Sequence, residues 1–138
     1  MNAFAITEID AGWVAAQLHT ALGLRTVGGS YTPNDAIRDF VNSVASLATA
    51  DSATCSWHQE PGDVTWQFAR TKARITVTIH SPQHSAECCF QWLCFASDVP
   101  TTMKVVLSTV GEGAYEREWR HPFPKEACEK LERAILGV

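Results

Sequence analysis

Three short runs between positions 53 and 80 constrain the fold more than any other part of the chain. Residues 53–59, 64–70 and 73–80 each alternate apolar and polar side chains. Cys55, Trp57, Trp66, Phe68, Ile75, Val77 and Ile79 fall on one side, and Ser56, His58, Thr65, Gln67, Arg74, Thr76 and Thr78 on the other. A period of two with one apolar side predicts antiparallel strands packed on a single face. Glu60-Pro61-Gly62-Asp63 joins the first two runs. Proline presets φ at the second turn position and glycine accepts a positive φ at the third, so a type II turn is expected. A fourth run, residues 87–96, is apolar on both sides, with Cys88, Phe90, Trp92 and Cys94 against Cys89, Leu93 and Phe95. It reads as a central strand, or as one whose outer face a partner covers.

The flanking segments supply the cover. Residues 12–22 alternate Val14, Ala16, Leu18 against Trp13, Ala15, Gln17, and a strand entered from Asp10-Ala11-Gly12 is expected, although the alanines would also accept a helix. Gly23 and Gly28-Gly29 mark a loop. Thr32-Pro33-Asn34-Asp35 opens a helix. Ile37, Phe40, Val41, Val44, Leu47 and Ala48 keep helical spacing, which carries that helix to about Thr49. A face of that size contributes on the order of 10 kcal/mol before chain entropy is subtracted. Asp98-Val99-Pro100 breaks the sheet and begins a second helix, which runs to Trp119 with a kink or break at Gly111 and Gly113. His121-Pro122-Phe123-Pro124 forces an extended corner, and residues 124–136 form a last helix. The expected architecture is α+β, a single domain over 138 residues: an antiparallel sheet of about five strands with three helices packed mainly on one face.

Hydrophobic residues make up 46% of the chain and include five tryptophans, enough to bury a core, while a charged fraction of 19% argues against disorder. No run approaches the ~18 apolar residues of a membrane span. Met1-Asn2-Ala3-Phe4 lacks the basic-then-apolar pattern of a secretory leader, so a cytoplasmic location is expected. Five cysteines suit free thiols, and the adjacent Cys88 and Cys89 would point to opposite sides of a strand. The net charge is −4 and the eleven lysines and arginines read as scattered, which disfavours nucleic acid and favours a basic protein partner.

Candidate chemistry is thin. His80, His84, Cys88 and Cys89 have ligand-type side chains, but their spacing matches no common zinc pattern. His58 and Asp63 with Ser56 or Thr65 could share one sheet face as a hydrolytic group, yet no glycine-rich elbow strains a serine. Gly111-Glu112-Gly113 lacks the lysine or third glycine of a phosphate cradle. Trp57, Trp66 and Trp92 are core or line a pocket; the second option would make the chain a small-molecule binder or a small hydrolase. The open side of the sheet offers His58, Gln67, Arg74, Thr76 and Gln91 beside Leu93 and Phe95, a mixture that suits a protein interface or a homodimer through the fourth strand.

Three patterns carry a family resemblance. They are Ser30-Tyr31 before Asp35-Ala36-x-x-Asp39; Glu60-Pro61-Gly62 followed by Trp66 and Arg70; and Tyr115-x-x-x-Trp119-x-x-x-Phe123-Pro124 leading to Leu131. Across residues 12–136 this set resembles small bacterial immunity proteins of contact-dependent growth inhibition and related polymorphic toxin systems. The resemblance implies a non-enzymatic cytoplasmic binder, without cofactor or metal, that covers a cognate protein toxin such as a basic nuclease domain. It implies neither direct nucleic-acid nor membrane binding, and either a monomer or a homodimer. The expected contacts are Glu60, Asp63, Glu87 and Asp98 at strand ends, with His58, Gln67 and Arg74 on the sheet face.

Overall fold

A computed structural model describes residues 3–60 and 62–137. Pro61, the second position of the expected type II turn, lies outside the described residues. The elements are β1 (Phe4–Asp10), β2 (Trp13–Thr20), β3 (Gly23–Ser30), α1 (Ala36–Ser46), β4 (Ser52–Trp57), β5 (Val64–Thr71), β6 (Arg74–His80), β7 (Ser85–Gln91), α2 (Trp92–Val110), α3 (Glu112–Trp119) and α4 (Lys125–Leu136). The fold is α+β. In place of one sheet of about five strands, the described residues form two antiparallel sheets, β1-β2-β3 and β4-β5-β6-β7; in place of three helices there are four.

Local chemistry builds the hairpins. Asp10 pairs with Trp13, Thr20 with Gly23 and Thr71 with Arg74, each closing a loop of two residues. Ala11 at φ 50° and Gly12 at φ 80° have the two positive φ angles that match a tight turn to the twist of its strands. The second sheet follows the predicted alternation: Trp57, Trp66, Phe68, Ile75, Val77 and Ile79 are all buried. They pack with Phe4, Phe40 and Phe95 into one aromatic centre. Phe40 lies 4.7 Å from Phe4 and 4.9 Å from Trp66, ring centre to ring centre. α1 and α2 contact the four-stranded sheet, α4 backs both helices, and α3 lies against β1 and β2.

One edge of each sheet, β1 and β4, is covered by side chains. Along β1, Asp98 accepts from the Ala3 and Phe4 N–H groups at 2.6 and 3.2 Å, and the Ile6 N–H donates to Thr102 Oγ1 at 2.9 Å. The Ala11 N–H donates to Glu118, which holds that carboxyl below its ordinary value. Along β4, Ser43 donates to the Thr54 carbonyl and Asn34 to the Ser56 carbonyl. Strand edges occupied in this way cannot recruit a neighbouring chain.

Several expectations need correction. Gly28 and Gly29 lie inside β3, not in a loop. A Cβ on Gly28 would come within 2.1 Å of the Trp13 ring, and one on Gly29 within 2.8 Å of the Trp57 Cβ. The glycines leave room for an indole on each face of the strand. The fourth run ends as a strand at Gln91. Trp92, Phe95, Ala96, Val99 and Met103 are buried on one side of α2 at helical spacing, so the doubly apolar stretch was a strand joined to a helix. Pro100 therefore lies within α2 and does not start it. α1 ends at Ser46, which replaces Ala48 by Ala45 on its buried face. The break at Gly111 is as expected: this residue, at φ 82°, separates α2 from α3.

Thiol chemistry offers a direct check on the register. Burial pushes Cys55 up to about 12, and Cys88 and Cys128 up to about 11, from an ordinary 9.0. Cys89 and Cys94 are exposed. A thiol reagent at pH 8 is expected to modify Cys89 and Cys94 quickly and the other three only after unfolding. Cys88 labelling as fast as Cys89 would contradict the β6–β7 register. Because these thiols bind their protons more tightly when folded, their contribution is fully present below pH 9. It is lost as the pH climbs through about 11 to 12, so the urea midpoint should fall over that window.

Candidate functional site

The outer face of the four-stranded sheet is set by register. Ser56, Thr65, His80 and Ser85 form one cross-strand row; Thr54, Gln67, Thr78 and Glu87 form the next. Ser52, Ala69, Thr76 and Cys89 follow, and Thr71, Arg74 and Gln91 close the far end. Thr54, Gln67, Arg74, His80, Ser85, Glu87, Cys89 and Gln91 are exposed, because the helices meet the opposite face. β-branched and short polar side chains dominate, so the face is flat. At ~3.4 Å per residue and ~4.8 Å between strands it measures roughly 20 Å by 20 Å.

The charged groups divide between its ends. The 58–63 connection carries His58, Glu60 and Asp63, with His58 Nδ1 2.9 Å from Asp63 Oδ2. The His58 carbonyl accepts from the Ser30 N–H at 2.8 Å, which ties this loop to β3. At the other end Arg70, Lys72 and Arg74 surround the β5–β6 turn. The expectation of scattered cations is thus corrected at this point. Positions 70, 72 and 74 already carried the signal, because a two-residue turn brings all three to one hairpin tip.

Of the residues expected to contact a partner, Gln67, Arg74 and Glu87 share the outer face, with Glu60, Asp63 and His58 at its loop end. Glu87 is within β7 opposite Thr78, not at a strand end. Asp98 is within α2, and its carboxylate is committed to the β1 backbone. Leu93 and Phe95 belong to α2; Leu93 is exposed and Phe95 is in the core.

His80, first considered with His84, Cys88 and Cys89, has other partners. Its Nε2–H donates to Gln67 Oε1 at 3.0 Å, which leaves Nδ1 to accept the Ser85 hydroxyl proton. Cys88 points inward and Cys89 outward, so the two thiols cannot converge. Among the described residues no group of three or more His, Cys, Asp or Glu is placed to hold a metal ion. Ser85, His80 and Gln67 do follow the order nucleophile, base, orienter. All three are exposed on a flat surface, where water competes for every bond they make. Trp57 and Trp66 are fully buried, 5.1 Å apart, and are core.

Trp92 has a different setting. It borders a cleft of about 680 Å³ between the β5–β6 turn, the start of α2 and the end of α4. The cleft is lined by Arg70, Lys72 and Arg74 around the β5–β6 turn, by Trp92 and Leu93 of α2, and by Ala134 and Ile135 of α4. The Arg70 guanidinium lies 4.2 Å over the Trp92 ring, with Nε donating to the Lys72 carbonyl and Nη1 to the Leu47 carbonyl. Among the described residues no helix is long and apolar enough to cross a membrane. No family model, no curated protein and no solved structure matches the chain.

Proposed function

We propose that this chain is an immunity-type protein that binds a cognate bacterial toxin one to one and neutralises it by occlusion. The observation that carries the reading is the bare outer face of β4-β5-β6-β7, a flat polar layer on a fully packed aromatic core. A rigid sheet presenting short side chains loses little side-chain entropy when covered. The face offers roughly 400 Å² in plan, against about 800 Å² per partner in a standard interface. The partner must therefore also engage the loops at its end, which brings in Glu60, Asp63 and His58 beside Gln67, Glu87 and Arg74. Acids at the loop end, in a chain of net charge −4, would speed encounter with a basic toxin domain.

Co-expression provides the test. If the reading frame lies just downstream of one for a large secreted protein with a variable C-terminal toxin domain, co-expressed chain is expected to protect cells from that domain. Thr76 and Thr78 lie on the central strand β6 with their side chains on the outer face. Thr76→Arg with Thr78→Arg is expected to weaken toxin binding by at least about 100-fold, equivalent to some 3 kcal/mol, with an unchanged thermal midpoint. Soluble wild-type chain that fails to protect would overturn the reading. Full protection by the folded double variant would move the interface elsewhere.

A further inference from the structure

We infer that the cleft between the β5–β6 turn and α4 is a binding site for a small amphipathic carboxylate; it shares Arg74 with the sheet face but does not rest on that reading. Three cationic residues line it in a chain whose net charge is −4. Among the described residues neither Lys72 nor Arg74 forms an ion pair, and both are exposed. Arg70 is fixed in place by two backbone carbonyls and the Trp92 ring, and its Nη2 makes no hydrogen bond to the described residues. A guanidinium already immobilised loses little entropy on meeting a carboxylate, and it presents a planar donor edge to a planar acceptor.

The apolar lining defines the rest of the ligand. Trp92, Leu93, Ala134 and Ile135 are apolar, and Leu93 is 57% exposed, so its side chain is free to meet a ligand. A volume of about 680 Å³ lies in the range of small-molecule sites, about 300–1,000 Å³. A lining that is cationic and apolar together selects a carboxylate on an apolar body. An inorganic anion would leave the apolar wall wet, and a neutral amphiphile would leave the cations unanswered. The sheet-face partner is not needed for this chemistry.

Titration of the full chain with decanoate, below its micelle concentration, tests the assignment. Calorimetry and the indole N–H resonance of Trp92 are the readouts. Saturable binding at one site is expected, with 1-decanol and acetate each at least about tenfold weaker. Lys72→Glu with Arg74→Glu should lower decanoate affinity by at least about tenfold, and raised salt should weaken it in the wild type. Leu93→Ser should weaken it several-fold through the apolar wall, whereas Lys125→Glu, remote from the cleft, should change nothing. All four positions are exposed, so the fold survives these substitutions. Non-saturating decanoate binding, equal binding of decanol, or an affinity untouched by the Lys72 and Arg74 changes would overturn the site.

Discussion

Trp66→Ala is expected to lower the unfolding free energy by about 4 kcal/mol. Trp66 is fully buried at the aromatic centre, 4.9 Å from Phe40 and 5.1 Å from Trp57, ring to ring. It joins Phe4 of the first sheet to β5 of the second, so a cavity there loosens both sheets and α1 together. Domains of this size are stable by about 5–15 kcal/mol, and the variant should be partly unfolded in mild denaturant. Trp66→Phe gives the contrast. The Trp66 indole N–H is buried without a hydrogen-bond partner among the described residues. Phenylalanine removes that unpaired donor while keeping most of the ring, so a loss under about 1.5 kcal/mol is expected. Urea melts of the two variants make the comparison. Equal losses would mean that the indole N–H is satisfied in the folded chain.

Asp35→Ala should cost about 3 kcal/mol, from two sources that act on one carboxylate. Asp35 Oδ1 accepts from the Arg38 N–H at 3.1 Å as the N-cap of α1, and from Trp119 Nε1 at 2.8 Å. Asp35 is 3% exposed and Trp119 is fully buried, so the indole N–H cannot turn to water once the carboxylate is gone. The bond ties the start of α1 to the end of α3 across 84 residues of sequence. A double-mutant cycle with Trp119→Phe isolates the indole bond, and a coupling of about 1–2 kcal/mol is expected. A coupling near zero would leave Asp35 as a helix cap alone.

Much of the second sheet was legible because its signals are local. The alternation from Val64 to His80 survives in the structure because every inward position is apolar and every outward one is short or polar, Arg70 excepted. Asp35 marked the start of α1 through its own side chain, and Gly111 a break after α2 through its low helix propensity. The site was legible only in part. Gln67 and Arg74 were placed on the open face, but the link from His80 to Ser85 and Gln67 depends on a register across three strands. Asp98 looked like a free acid, and only the position of β1 beside α2 shows that it caps a strand edge.

The order of amino acids thus determined the β4-β5-β6 meander, the buried side of its strands and the amphipathic helices, because each depends on neighbours a few residues away. Tertiary structure decided that Gly28 and Gly29 form strand rather than loop, since only two tryptophans from distant positions make glycine necessary there. It also decided where strand gives way to helix after Gln91 and how the seven strands divide into two sheets. An apolar run on both sides satisfies a buried strand and a buried helix equally well, and the choice falls to whatever surface it meets.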